Sequence, residues 1–302
     1  MRFLIAYVLV LFSTLSPLAA QELDPRRWSH LPINTNFFGG AYAYTRGDIS
    51  FDPALLIEDS EVKLNTVALA YLRTFAIYGK TARLDVVQGW RDAEWSGKLD
   101  GVDTTVKRQG LADTRLRFSV NLLGAPPLSG KEYARYRAAT KKETIVGVAL
   151  SMDLPTGQYK KDKLLNIGNN RFTFSPQFGV VHKQGNWTFE GTATVDIYTD
   201  NNSFFNGKKR EQDPFFSAQA HAIYDFSPGF WVATSLGYGN GGRSTIDGVK
   251  KDDKKEFVAW ALSAGYPITK RLSLKAAYIG TRRQRDSGLE SDTLTIGFST
   301  FW

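Results

Sequence analysis

Charged side chains recur at every second position in several short stretches of this chain. Arg115 and Arg117 are separated by one leucine, and so are Arg83 and Asp85. In an extended strand this spacing places both charged groups of a pair on one face. Arginines gathered at a narrow passage attract anions, and a carboxylate among them moderates the field. An equally good interpretation is a salt-bridge network that fills and stiffens an interior, because buried charges need partners.

The same spacing extends to other polar residues. Glu190 and Asp196 lie an even number of positions apart, and so do Gln219 and His221. If these strands surround a passage, their polar faces line it. The candidate pore-lining residues are therefore Arg83, Asp85, Arg115, Arg117, Glu190, Asp196, Gln219 and His221.

Residues suited to catalysis or metal binding are sparse. Ser217 and His221 share a face, but a spacing of four residues separates them by about 13 Å along a strand, too far for proton transfer. His30, His182 and His221 lie far apart in the sequence, and there is no cysteine, so no pair has metal-ligand spacing. We therefore predict no catalytic residues, no metal and no other cofactor, and the chain is not expected to be an enzyme.

Strands must position the candidate residues, and the pattern predicts about twelve of them. Each segment alternates between apolar and polar residues and is close to the roughly 9–11 residues that a tilted strand needs to cross a bilayer. An even number of strands returns both termini to the same side. The fold class is therefore all-β, a transmembrane antiparallel up-and-down barrel. The predicted strands are 36–46, 61–75, 80–90, 111–122, 144–154, 171–182, 187–198, 215–226, 230–239, 256–266, 272–280 and 292–302.

Free energy decides which face of a strand points to lipid. An arginine on the lipid face near the bilayer midplane costs about 2–4 kcal/mol. Arg115 and Arg117 must therefore point into the lumen, and the apolar residues between them must meet lipid. Pro176 falls on an outward face, and since proline cannot donate to the ladder, a β-bulge is expected there.

The predicted connections alternate between short turns and long polar loops. Such alternation is typical of outer-membrane barrels, with turns in the periplasm and loops in the medium. The segment 123–143 is an exception, because it is long where a short turn is expected. We interpret it as a periplasmic loop that carries a short helix.

Both ends of the chain indicate export. Residues 1–20 have the short basic start, apolar core and small residues of a cleaved signal peptide. Residues 21–302 then form the barrel domain, in which 21–35 are a periplasmic segment able to contact the lumen. The last strand ends on Trp302, which resembles the signal that the outer-membrane assembly machinery reads on bacterial barrels. The expected location is the bacterial outer membrane.

The formal net charge of +8 bears on partners. It favours contact with anionic outer-membrane lipid and with lipopolysaccharide, whose phosphates the Lys-rich runs at 160–163 and 250–255 would meet. Between the two interpretations of those runs, a solvated loop surface is the favoured one. Nucleic acid is not an expected partner of an exported barrel.

Several segments resemble one known family. They are Arg27–Pro32 (RWSHLP), Leu123–Gly130 (LGAPPLSG), Leu154–Tyr159 (LPTGQY), Asn166–Arg171 (NIGNNR) and Gln212–Pro214 (QDP). Together they are similar to the proteins described as "putative meta-pathway of phenol degradation", which are outer-membrane transporter-like barrels. The resemblance implies this fold and an association with aromatic catabolism, but it transfers no catalytic or ligand-binding residue.

Two functions remain open at this point. The first is a channel or transporter for passive passage of small solutes, with small aromatic (phenolic) or hydrophobic compounds favoured by the resemblance. Twelve strands enclose a lumen narrower than that of a 16–18-stranded porin. The alternative is a structural or adhesive outer-membrane barrel that acts through its outer loops.

Overall fold

The computed structural model describes residues 23–50, 57–99, 101–285 and 287–302. The signal peptide predicted over residues 1–20 lies outside them. The described chain is built from strands and one short helix. The elements are β1 (Asn36–Ser50), β2 (Ile57–Ile77), β3 (Lys80–Leu99), β4 (Val102–Leu111), β5 (Thr114–Leu123), α1 (Gly130–Ala139), β6 (Lys142–Leu154), β7 (Thr173–Gln184), β8 (Trp187–Tyr198), β9 (Asn201–Phe204), β10 (Lys208–Gln212), β11 (Phe215–Ser227), β12 (Phe230–Gly241), β13 (Ser244–Ile246), β14 (Val249–Lys250), β15 (Lys255–Pro267), β16 (Leu272–Arg283) and β17 (Gly288–Phe301).

Thirteen of these strands form one closed antiparallel sheet. The strand order is β2-β1-β17-β16-β15-β12-β11-β8-β7-β6-β5-β3-β4, and pairing of β2 with β3 closes the ring. The first and last strands meet along their length, from Phe37 opposite Phe301 to Ser50 opposite Gly288. Strands β4 and β5 occupy a single position in the wall, because β4 pairs with one half of β3 and β5 with the other. The predicted twelve-stranded barrel is confirmed.

One predicted strand is divided in two. The sequence predicts a single strand over 111–122, but the ladder breaks at Ala112 and Asp113, between β4 and β5. The Asp113 carboxylate accepts hydrogen bonds from the backbone N–H groups of Gly157, at 2.9 Å, and Asn169, at 2.8 Å. The break therefore lets Asp113 hold a long loop in place. Beyond it, β3 and β4 continue as a hairpin through residues predicted to be a loop.

The wall of the barrel is apolar outside and largely polar inside. Buried serine and threonine side chains recur on the interior face of most strands. Because the strands close on themselves, no backbone edge faces lipid. Large hydrophobic side chains are exposed around the outside, among them Leu84, Phe118, Phe178, Phe189, Leu236, Leu262 and Ile296.

The two ends of the barrel differ. Short turns and the helix α1 lie at one end, the short-turn end, and α1 falls within the long connection predicted to carry a helix. The other end, the long-loop end, carries a small sheet of β14, β13, β10 and β9. The predicted bulge at Pro176 is wrong, because β7 keeps one register with β8 from Phe174–Ile197 to Gln177–Thr194. Among the described residues, no helix is long and apolar enough to cross a bilayer.

Candidate functional site: a barrel interior divided by the N-terminal segment

Residues 23–35, which precede β1, lie inside the barrel. This N-terminal segment, residues 23–35, leaves the short-turn end beside Trp302, whose carbonyl accepts the Asn36 N–H at 3.0 Å. Leu31 packs against Phe37 at that end. Leu23 is buried at the other extreme, in a cluster with Phe215. The segment therefore runs through the interior toward the long-loop end.

Trp28 fixes the middle of the segment. Its ring lies over Gly147 and Gly179, which are opposite each other on β6 and β7. Its indole N–H donates to the Thr192 hydroxyl at 2.9 Å. The Arg117 guanidinium lies 4.7 Å from the ring centroid, within cation–π distance. Two glycines thus provide the slot in which the indole is held.

Charged groups of the wall hold the rest of the segment. Glu190 accepts the backbone N–H of Arg27 at 3.0 Å and that of Arg26 at 3.1 Å. The Arg26 side chain forms an ion pair with Asp225. Asp24 forms another with Lys275 of β16. Three strands of the wall therefore hold this short peptide.

His30 joins the segment to the helix α1 at the short-turn end. Its Nε2 donates to the Pro126 carbonyl at 2.8 Å, and the Tyr133 hydroxyl donates to the His30 carbonyl at 2.8 Å. Burial lowers the pKa of His30 to about 4, and the positive charge of Arg137 adds to the effect. The Glu143 carboxylate, itself paired with Arg137, opposes it. His30 is therefore neutral in the docked segment at pH 7.

The arginines predicted from the sequence fall into two separate groups. Arg83 and Arg117 share one carboxylate, because Asp85 Oδ2 lies 3.2 Å from Arg83 Nε and 3.5 Å from Arg117 Nη1. Arg117 also donates to Gln177 at 2.9 Å and is 1% exposed. Arg115 instead pairs with Asp153, at 2.5 Å. The interior thus contains the salt-bridge network that the sequence left open, and it touches the N-terminal segment.

The remaining candidates also face the interior, at different depths. Glu190 holds the segment, Asp196 accepts the Ser175 hydroxyl at 2.6 Å, and Gln219 lines a cavity. His221 lies 2.7 Å from the Ser235 hydroxyl, directly opposite on β12. Sequence spacing could not reveal this cross-strand pair. His221 Nε2 contacts no described hydrogen-bond partner, so no third group orients the ring as in a catalytic triad.

The segment lies between two large cavities of the described interior. The outer cavity, at the long-loop end, has a volume of about 320 Å³ and is lined by Arg27, Arg115 and Gln219 among others. The inner cavity, at the short-turn end, has about 310 Å³ and is lined by Arg26 and His30. The adjacent residues Arg26 and Arg27 thus face different cavities. Their backbone N–H groups, which Glu190 accepts, lie between the two cavities.

The segments that carry the family resemblance contact one another in the fold. RWSHLP contacts LGAPPLSG through the hydrogen bond from His30 to Pro126. LPTGQY contacts NIGNNR, where Gly168 N–H donates to the Gln158 carbonyl at 3.0 Å. Arg171 donates to Gln212 of QDP. The first and third of these contacts join residues that are more than forty positions apart in the sequence.

A family model described as "Putative MetA-pathway of phenol degradation" matches residues 39–296. The chain belongs to this family. The matched region covers the barrel wall from β1 to β17, so the predicted family is confirmed. None of the curated proteins matches the sequence.

Solved structures with a similar fold are barrels of bacterial outer membranes. One is the COG4313 outer membrane channel from Pseudomonas putida F1, with 22% identity, 93% of this chain and 100% of that chain covered, and a TM-score of 0.76. The translocator domain of autotransporter NalP from Neisseria meningitidis has 10% identity, 90% coverage of both chains and a TM-score of 0.51. The β domain of the Bordetella autotransporter BrkA has 11% identity, covers 89% and 100%, and scores 0.50. The chain thus has the fold of an outer-membrane β-barrel.

Proposed function

We propose that this protein is an outer-membrane channel for passive passage of small solutes, and that small aromatic or otherwise weakly polar compounds are its preferred class. The family description refers to phenol degradation, and the similar Pseudomonas putida structure is described as a channel. The proposed role is transport rather than catalysis.

One observation carries the proposal: the barrier between the two cavities is not part of the wall. Residues 23–31 belong to no strand, and the wall binds them through side chains such as Glu190, Thr192 and Asp225. Displacing them would join the cavities while every strand ladder stays intact. A solute in the outer cavity would then reach the inner cavity, and from there the periplasm.

The alternative is a structural or adhesive barrel that acts through its outer loops. The small sheet of β9, β10, β13 and β14 favours it, because ordered strands at the long-loop end offer a fixed surface to a partner. A channel and an adhesive barrel differ in whether the interior must open. Conductance therefore separates them.

Further partners follow from the same proposal. Lys160 and Lys161 in one outer loop, and Lys250 and Lys251 in another, would meet lipopolysaccharide phosphates. The C-terminal strand, whose last described residue is Trp302, would engage the assembly machinery. Its lipid-facing side chains Leu294, Ile296 and Phe298 are exposed.

The test combines planar-bilayer conductance of the purified protein with uptake of phenol by a deletion strain. We expect Trp28→Ala to raise the open-state conductance, because it removes the side chain that fixes the barrier. Trp187→Ala is the matched control, since that indole is 47% exposed on the outer surface. No conductance in either variant, with unchanged phenol uptake, would support the adhesive alternative instead.

A further inference from the structure

Three cationic side chains converge on the outer cavity without an acidic partner. Arg171 precedes β7, Arg210 lies in β10 of the small sheet and Lys255 begins β15, and all three line this cavity. Among the described residues, no carboxylate lies within ion-pair distance of any of them. Both arginines also repel the positive charge of Lys255. The cavity thus gathers three charges that its own wall does not neutralise.

Arg171 is the most deeply buried of the three, with 7% of its surface exposed. Its guanidinium stacks on Tyr198, with 4.3 Å from Cζ to the ring centroid, and one nitrogen donates to the neutral Gln212. The other terminal nitrogen, Nη1, is buried and has no hydrogen-bond partner in the part of the chain that the structure describes. A buried donor left unpaired costs free energy, and a buried charge costs more. An anion placed against Nη1 would remove this cost.

Arg210 also has only a neutral partner. Its Nε and Nη2 donate to the Ser244 hydroxyl at 3.2 and 3.0 Å. Burial lowers the pKa of Arg210, and the negative charge of Asp253 opposes that shift. Asp253 itself accepts the backbone N–H of Ser244, at 2.7 Å. Burial together with the charge of Arg210 lowers the pKa of Arg171 to about 10, so both guanidinium groups remain charged at pH 7.

The carboxylates that line the outer cavity are already engaged elsewhere. Asp113 accepts backbone hydrogen bonds from Gly157 and Asn169. Asp153 pairs with Arg115, and Asp196 accepts the Ser175 hydroxyl. These groups therefore stabilise the wall and its loops, and none of them forms an ion pair with the three cations.

An aromatic surface lies beside the cations. Phe215 and Phe257 line the same cavity and stack with centroids 5.6 Å apart and planes 20° apart. Gly239 makes room for both rings, since a Cβ there would lie 2.5 Å from Phe215 and 2.7 Å from Phe257. Phe257 is two residues after Lys255 on β15, so both side chains point to the same face. Charge and apolar surface are thus adjacent.

We propose that the outer cavity is a binding site for a monocarboxylate with an apolar body. The carboxylate would contact Arg171, Arg210 and Lys255, and the ring or acyl chain would pack on Phe215 and Phe257. A guanidinium group can donate two parallel hydrogen bonds to the two oxygens of a carboxylate. An apolar group attached directly to that carboxylate would pack on the adjacent aromatic rings. A free inorganic anion has no such group. This inference rests on the proposed channel function and names an anionic substrate class for it.

The test is isothermal titration calorimetry of the full chain in detergent, without any membrane. Benzoate, octanoate, phenol and inorganic phosphate are the probes, each at pH 7. We expect a carboxylate probe to bind about tenfold or more tightly than neutral phenol or phosphate. A higher affinity for benzoate than for octanoate would identify the ligand class as aromatic acids. A higher affinity for octanoate would identify it as fatty acids.

Two variants assign the binding to this site. Arg171→Gln should weaken carboxylate binding about tenfold or more and leave phenol binding unchanged. Arg210→Gln should also weaken carboxylate binding. Because Arg210 lies in the small sheet outside the barrel wall, this variant tests the site even if Arg171→Gln does not fold. Lys209→Gln is the matched control, because that lysine is half exposed and pairs with Asp200 and Glu211.

The inference fails if Arg210→Gln folds and binds benzoate and octanoate like the parent protein, or if phosphate binds as tightly as either carboxylate. These outcomes are distinct from failure of the channel proposal. Conductance without carboxylate binding would overturn the anion site alone. Carboxylate binding without conductance would support the site and overturn the channel.

Discussion

Gly179 leaves open the space that the Trp28 indole occupies: a Cβ on residue 179 would lie 2.0 Å from Trp28 Cε2. No real side chain tolerates that distance. The contact joins β7 to the N-terminal segment. Whether the segment can lie between the two cavities therefore depends on a glycine in the barrel wall.

Gly179→Ala should displace Trp28 and raise the open-state conductance, because the added methyl group overlaps the ring and the wall cannot move without breaking its ladder. The control is Gly191→Ala on the neighbouring strand, where the nearest atom to an added Cβ is 3.9 Å away. Single-channel recording measures both. Equal conductance in the two variants would show that the segment does not limit flow at Trp28.

Glu190→Gln should loosen the segment while leaving the barrel folded. The substitution removes the charge of the carboxylate that accepts the backbone N–H groups of Arg26 and Arg27. A charge-assisted hydrogen bond contributes at most about 1–2 kcal/mol more to stability than a neutral one. Hydrogen–deuterium exchange over residues 23–35 should therefore accelerate about tenfold. Glu211→Gln, on the exposed small sheet, should leave that exchange unchanged. Retained protection in Glu190→Gln would mean that Trp28 alone holds the segment.

Arg115 and Arg117 should respond differently to substitution by glutamine. Arg117 is one of the two cations that contact the buried Asp85, and its guanidinium also stacks on Trp28. Arg117→Gln should therefore lower the free energy of unfolding by about 3 kcal/mol. Arg115→Gln removes a cation from the outer cavity, so the reversal potential should shift toward cations with the barrel still folded. Heat-modifiable migration on gels and reversal potentials measure the two effects. A selectivity change confined to Arg117→Gln would contradict this division of roles.

Acidification should undock the segment at its short-turn end. The pKa of His30 is about 4 when docked and about 6.5 when free, so protons bind the free form more tightly. The contribution of neutral His30 to the free energy of docking is therefore fully present above about pH 6.5. It is lost progressively as the pH falls toward 4, and the loss is up to about 3 kcal/mol. Charged neighbours are Arg137 and Glu143, which oppose each other.

Hydrogen exchange of residues 23–35 between pH 7 and 4.5, corrected for intrinsic rates, measures this effect. His30→Gln should remove the pH dependence, because glutamine does not titrate in this range. His182→Gln is the control, since that ring lies 2.9 Å from the exposed Thr144 hydroxyl and not against the N-terminal segment. The same pH dependence in His30→Gln would assign the effect to another group.

The barrel, its strand number and the inward face of the strands that carry charged residues could be predicted from the sequence alone. The reason is local: an arginine such as Arg115 is too costly in lipid, so period-two alternation orients a strand without knowledge of its neighbours. The hairpin of β3 and β4 escaped prediction because charged residues and glycines interrupt its alternation, although Ala93 and Trp95 on one of its faces are buried. The break at Asp113 escaped because its hydrogen-bond partners lie more than forty residues away.

Only the tertiary structure decided what the interior does. Trp28 enters a slot made by Gly147 and Gly179, and no local pattern pairs an indole with glycines on two other strands. Arg171 and Lys255 reach one cavity from elements that are far apart in the sequence. Barrel closure sets these contacts, because residues distant along the chain face one another across the lumen only when the last strand meets the first.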